Sequence, residues 1–141
     1  MEELFTLFEQ YQFPKRDVKS SLGVTAIEQY AKIQLPDDYV YYLENYLGVD
    51  LFIGVEFIKL WSIEEIINAN KAHRIVEQMP NTIGIGTNGS GEFIGIDHCN
   101  SEKIQIVLSP LIGLDSKYNT IIGESFTDFL VRLDNRVEWF D

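Results

Sequence analysis

Ile83-Gly84-Ile85-Gly86-Thr87-Asn88-Gly89-Ser90-Gly91-Glu92-Phe93-Ile94-Gly95-Ile96-Asp97 admits two readings, and the fold turns on which one holds. Gly84, Gly86 and Gly89 spell G-x-G-x-x-G, the pattern of a dinucleotide-binding turn. That chemistry needs a helix opening directly after the glycines, so that free N–H groups meet phosphate. The residues after the glycines, Glu92 to Asp97, are instead aromatic and β-branched, without helical periodicity. The segment therefore reads as a β-hairpin, two strands joined by a polar glycine-rich loop.

Working outward, Leu4, Phe5, Leu7, Phe8 and Tyr11 stand at helical spacing and predict a short amphipathic helix that ends before Pro14. Thr25 and Glu28 form a capping-box pattern before a second short helix. Leu35-Pro36-Asp37-Asp38 reads as a third helix start, with Pro36 at the first helical position and two acids at the positive end of the dipole. Tyr39, Tyr42, Leu43, Tyr46 and Leu47 then make an apolar stripe, and Gly48 fits a C-terminal cap. Val55 to Trp61 reads as a strand. Ser62 and Glu65 make another capping box, opening a helix that runs to Met79 and stops at Pro80. After the hairpin come a strand at Lys103 to Leu108, a loop with a short strand at Thr120 to Ile122, and a last helix at Ser125 to Leu133. The order predicts an α+β fold: a single domain over residues 1–141, its mostly antiparallel sheet packed with flanking helices.

The chain has 141 residues, 45% of them hydrophobic and 23% charged, enough for one self-sufficient core. Met1-Glu2-Glu3 gives no secretion signal and no apolar run is long enough to span a membrane, so a cytoplasmic protein is expected. The single cysteine, Cys99, excludes an internal disulfide and agrees with a reducing compartment. Net charge is −11, from 22 acids and 11 bases, which disfavours direct binding to nucleic acid. Between Lys32 and Lys59 the charged residues are Asp37, Asp38, Glu44, Asp50 and Glu56. Between Arg74 and Lys103 they are Glu77, Glu92, Asp97 and Glu102. Neither window holds a base.

Groups with the makings of catalysis have simpler explanations. Asp97, His98 and Cys99 are neighbours on a strand, where adjacent side chains point to opposite faces, and no second cysteine completes a metal site. Cys99 lacks a base partner. Glu65 belongs to the capping box, and Glu64 sits where a helix dipole favours an acid. No serine lies in a strand–turn–helix nucleophile elbow. No enzyme activity, cofactor or metal is expected.

Thr25-Ala26-Ile27-Glu28, Leu35 to Tyr39, Leu60-Trp61-Ser62-Ile63-Glu64-Glu65-Ile66, Asn70, the 83–97 hairpin and Glu124-Ser125-Phe126 with Phe129-Leu130 occur in an order and spacing that resembles the SUKH superfamily, the Smi/Knr-type domain, over Val24 to Leu133. Tyr46-Leu47-Gly48 and Glu102-Lys103 depart from its usual glycine positions. The resemblance implies an α+β domain without enzymatic activity; its bacterial members are largely immunity proteins that neutralise polymorphic toxins, often nucleases or deaminases, and others are intracellular regulators. On the immunity reading the partner is a basic toxin domain, met by Asp37, Asp38, Glu92 and Asp97 together with Thr87, Asn88 and Ser90 of the hairpin loop. On the regulatory reading a cellular protein docks on an apolar patch around Trp61 or Trp139-Phe140. A third reading, a small nucleotide-binding enzyme using the glycine loop, lacks both the helix and the catalytic groups.

Overall fold

The computed structural model describes residues 1–100 and 102–140. Helices α1 (Glu2–Gln10), α2 (Val24–Ala31) and α3 (Asp37–Asn45) precede the hairpin β1 (Val49–Ile53) and β2 (Glu56–Leu60). Helices α4 (Ile66–His73) and α5 (Ile75–Gln78) lead to β3 (Thr82–Thr87), β4 (Glu92–Asn100), β5 (Lys103–Pro110) and β6 (Thr120–Gly123), and α6 (Phe126–Asp134) comes last. The strands form one sheet in sequence order, every neighbouring pair antiparallel. This is the expected α+β architecture.

Helix α6 touches both outermost strands, β1 and β6, so the sheet curls around it. Strand β6 approaches so closely that a side-chain carbon on Gly123 would lie 2.8 Å from Phe129 Cα. Leu4 and Phe8 of α1, Tyr39, Tyr42 and Leu43 of α3, and Phe126, Phe129 and Leu130 of α6 pack with Ile83, Ile94, Ile96 and Ile106 of the sheet, all buried. Each such leucine, isoleucine or phenylalanine contributes about 1.5–3 kcal/mol relative to exposure. The stripe expected on α3 is therefore core, except that Leu47 lies beyond the helix and is exposed.

Several local expectations are corrected. Thr25 does not cap α2: the helix starts after Gly23, with no side-chain cap, and Glu28 Oε2 accepts the Leu35 N–H at 2.7 Å, closing the α2–α3 connection. Pro36 is the residue before α3 rather than its first. Gly48 does not cap that helix. The chain turns extended at Tyr46 because residues 14–16 offer a strand-like partner: the Arg16 N–H donates to Asn45 O and the Leu47 N–H to Pro14 O, both at 2.9 Å. The long helix up to Met79 is broken at Arg74, which adopts φ +59°. Half of the second capping box forms: Glu65 Oε1 accepts the Ser62 N–H at 2.9 Å, but the serine hydroxyl donates to the same oxygen instead of capping the helix. Strand β1 forms where no strand is expected.

Candidate partner-binding surface

The glycines of the hairpin are used up in packing. Gly84 turns its N–H and C=O away from β4 and toward α4, where the Asn70 carboxamide takes both: Oδ1 accepts the N–H at 2.8 Å and Nδ2 donates to the carbonyl at 2.9 Å. Asn70, fully buried, acts as a one-residue substitute for a strand. A side chain on Gly84 would meet Ile75 Cδ1 at 2.7 Å. Gly86 faces backbone instead, the Lys59 carbonyl and Leu60 Cα, because β2 crosses there before leaving the sheet. Gly84 and Gly86 are thus required by close approach of neighbouring elements.

The loop itself is self-contained. Asn88, only 7% exposed, folds its side chain inward; Oδ1 accepts the Ser90 N–H and Nδ2 donates to Glu92 Oε1, both at 2.9 Å. Gly89 and Gly91 supply the positive φ angles, +77° and +89°, that close the turn. Of the loop candidates, Ser90 is exposed while Thr87 and Glu92 are half-buried. Gly89 rests on the Phe57 ring, where an added carbon would lie 3.2 Å from Cδ2. Phe57 in turn meets Phe52 edge-on, with ring centroids 5.5 Å apart, and Phe52 is 64% exposed.

The remaining candidates lie at the far end of β4. Glu92 and Asp97 are separated by five residues of extended chain, about 17 Å. Asp38 is turned inward: Oδ2 accepts the Thr127 N–H at 2.9 Å and the Thr127 hydroxyl at 2.8 Å. It caps the first turn of α6, whose N–H groups have no partner within the helix. Asp97 bridges strands, accepting from Thr82 Oγ1 at 3.0 Å and Gln105 Nε2 at 3.1 Å. Asp37 is exposed at the rim of a cleft of about 660 Å³ lined also by Lys32, Gln34, Asn81, His98 and Lys103. A second cleft, about 480 Å³, is lined by Asp97, His98, Cys99 and Asp115. The structure therefore brings Asp37 and Asp97 to one strand end, places Thr87, Asn88, Ser90 and Glu92 at the other, and commits the half-buried Asp38 to capping α6.

Burial first, and the Asp97 carboxylate after it, push the Cys99 thiol above its ordinary value, the opposite of an activated nucleophile. Among the described residues no group of three or more His, Cys, Asp or Glu could hold a metal ion, and no helix is long and apolar enough to cross a membrane. Trp61 is buried at 5% exposure and stacks on His73, so it offers no apolar docking patch; Trp139 is buried too, and only Phe140 of that pair is exposed, at 70%. Sequence reasoning alone misses Phe52. Its signal is nonetheless there: Val49, Leu51 and Ile53 alternate inward, which leaves an aromatic beside Asp50 in the outward register.

An antiparallel six-stranded meander curled around a C-terminal helix, behind a helical N-terminal layer, defines an α+β domain whose glycine-rich loop closes on itself. The chain belongs to the SMI1/KNR4 family (SUKH-1), whose model matches residues 22–132. No curated protein matches it.

Proposed function

We propose that this chain is a non-enzymatic cytoplasmic immunity protein that binds and neutralises a basic toxin domain of the nuclease or deaminase type. The observation that carries the reading is the charge distribution on this family's fold. Nine acids and no base stand between Lys32 and Lys59 and between Arg74 and Lys103, out of a net −11. Acidic side chains speed encounter with a basic cleft and imitate the phosphates it holds. Asp37, with Glu92 and Asp97, supplies candidate contacts, alongside Thr87 and Ser90; Asp38 and Asn88 support the surface from within.

Tagged protein recovered from its native lysate at low and moderate salt tests this. The expected result is a basic toxin domain that co-purifies and is released as salt rises, with Asp37→Asn, Glu92→Gln and Asp97→Asn together weakening the complex and flattening its salt dependence. A housekeeping protein retained in high salt would replace this reading with the regulatory one, for which the exposed Phe52 is the favouring observation.

A further inference from the structure

A groove of about 350 Å³ runs beside β6, lined by Thr120, Ile121 and Ile122 of the strand, by Leu133 of α6, and by Val137 and Phe140 of the C-terminal segment, with Arg132, Glu138 and Trp139 completing it. Ile122 is the extra residue of a bulge against β5, and it is buried while Ile121 is exposed, so the two point to opposite faces and share one groove along the edge of the backbone. Among the described residues that edge is the unpaired one, because β5 occupies the other and β6 is outermost in the sheet. Its four residues, Thr-Ile-Ile-Gly, carry no charge and no proline, so its protection rests on its shortness and on the bulge at Ile122. The opposite wall is fixed: Trp139 stacks on Phe129, and its backbone N–H donates to Glu56 Oε2 at 2.8 Å. Ile121, Val137 and Phe140 leave apolar surface at the rim, 55%, 37% and 70% exposed.

We propose that this groove receives an extended segment of a basic partner protein, which adds to the sheet as a strand against β6. The unpaired main-chain groups of the edge ask for another backbone, and the apolar rim accommodates alternate side chains. A second copy of the chain fits poorly, because each copy carries −11 and would bring its own C-terminal segment into the space. The same whole-chain charge draws in a segment rich in lysine or arginine at long range, while the groove itself holds one base and one acid, Arg132 and Glu138. A backbone can be held in this way whether or not the partner is a toxin.

The test uses the full chain in amide-resolved NMR titrations with three synthetic peptides: an alternating lysine–valine hexapeptide, the same peptide N-methylated at every amide, and its glutamate–valine counterpart. The expected result is saturable shifts centred on Thr120–Gly123 and Val137–Phe140. Losing the main-chain bonds should weaken binding about tenfold or more for the N-methylated peptide. The glutamate peptide should also bind more weakly. Phe140→Ala, an exposed position whose loss leaves the fold intact, should weaken the lysine peptide severalfold. Shifts centred elsewhere, equal binding of the N-methylated or glutamate peptide, or no binding at all would overturn the proposal. So would concentration-dependent broadening of the β6 amides without peptide, which would assign the edge to self-association.

Discussion

Replacing Asn70 by alanine tests the central structural claim, that one side chain completes the edge of β3. The substitution removes both bonds to Gly84 in a fully buried setting and leaves an N–H and a C=O without partners. Each unsatisfied buried group costs about 1–3 kcal/mol, so the loss should be roughly 2–6 kcal/mol. Asn70 Nδ2 also donates to Ile66 O at 2.8 Å, but that carbonyl lies within α4, where an intrahelical donor is at hand, and it adds little. Against a typical total of about 5–15 kcal/mol, this is a large fraction of the stability. Urea unfolding followed by tryptophan fluorescence measures it directly, since the Trp61 ring reaches Gly84. Hydrogen exchange at Gly84 should accelerate in step.

Asn70→Asp separates a clamp from a space-filler. The carboxylate matches the amide in volume and can still accept from the Gly84 N–H. It places an acceptor against Gly84 O and Ile66 O, however, and buries a charge, so it should be at least as damaging as alanine. A loss below about 0.5 kcal/mol for alanine, or wild-type stability for aspartate, would refute the reasoning.

Other substitutions probe neighbouring links. Gly86→Ala should destabilise by about 1–3 kcal/mol and exceed Gly84→Ala, because Gly86 faces the backbone of β2 whereas Gly84 faces the movable end of Ile75; thermal melts of the two variants check the order. Asp38→Ala should cost about 1–2 kcal/mol through the lost cap on α6, with Asp38→Asn recovering part of it, as read by urea unfolding. Glu64, clamped by both terminal nitrogens of Arg16, has its carboxyl lowered from 4.5 to about 2, chiefly by that hydrogen bond. A depressed folded-state pKa stabilises above the unfolded value, so this contribution should be complete above pH 4.5 and be lost as pH falls toward about 2. Glu64→Gln should flatten that part of the stability–pH curve, and an unchanged curve would show that the clamp is not coupled to folding.

What can be read from the sequence is what local rules determine. The hairpin, the aromatic stripe of α3, the strands at Lys103 and Thr120 and the last helix all come from periodicity and end signals within a few residues. The errors fall where a distant element offers a better bond. Glu28 leaves its expected cap for Leu35, the end of α3 is drawn out by residues 14–16, and Asp38 reaches Thr127, 89 positions away. The candidate surface is distorted in the same way. Side-chain type says what bonds a residue can make, and only the fold says which of them are already made. Asp38, Asn88 and, in part, Asp97 are attractive candidates because they are polar, and for that reason the fold has found uses for them. The residues left over are those whose presence no local rule explains: an aromatic at an outward position in β1, isoleucines on an uncharged edge, and acids at a cleft rim. A partner's interface is best sought among such unexplained positions, because nothing inside the chain accounts for their being there.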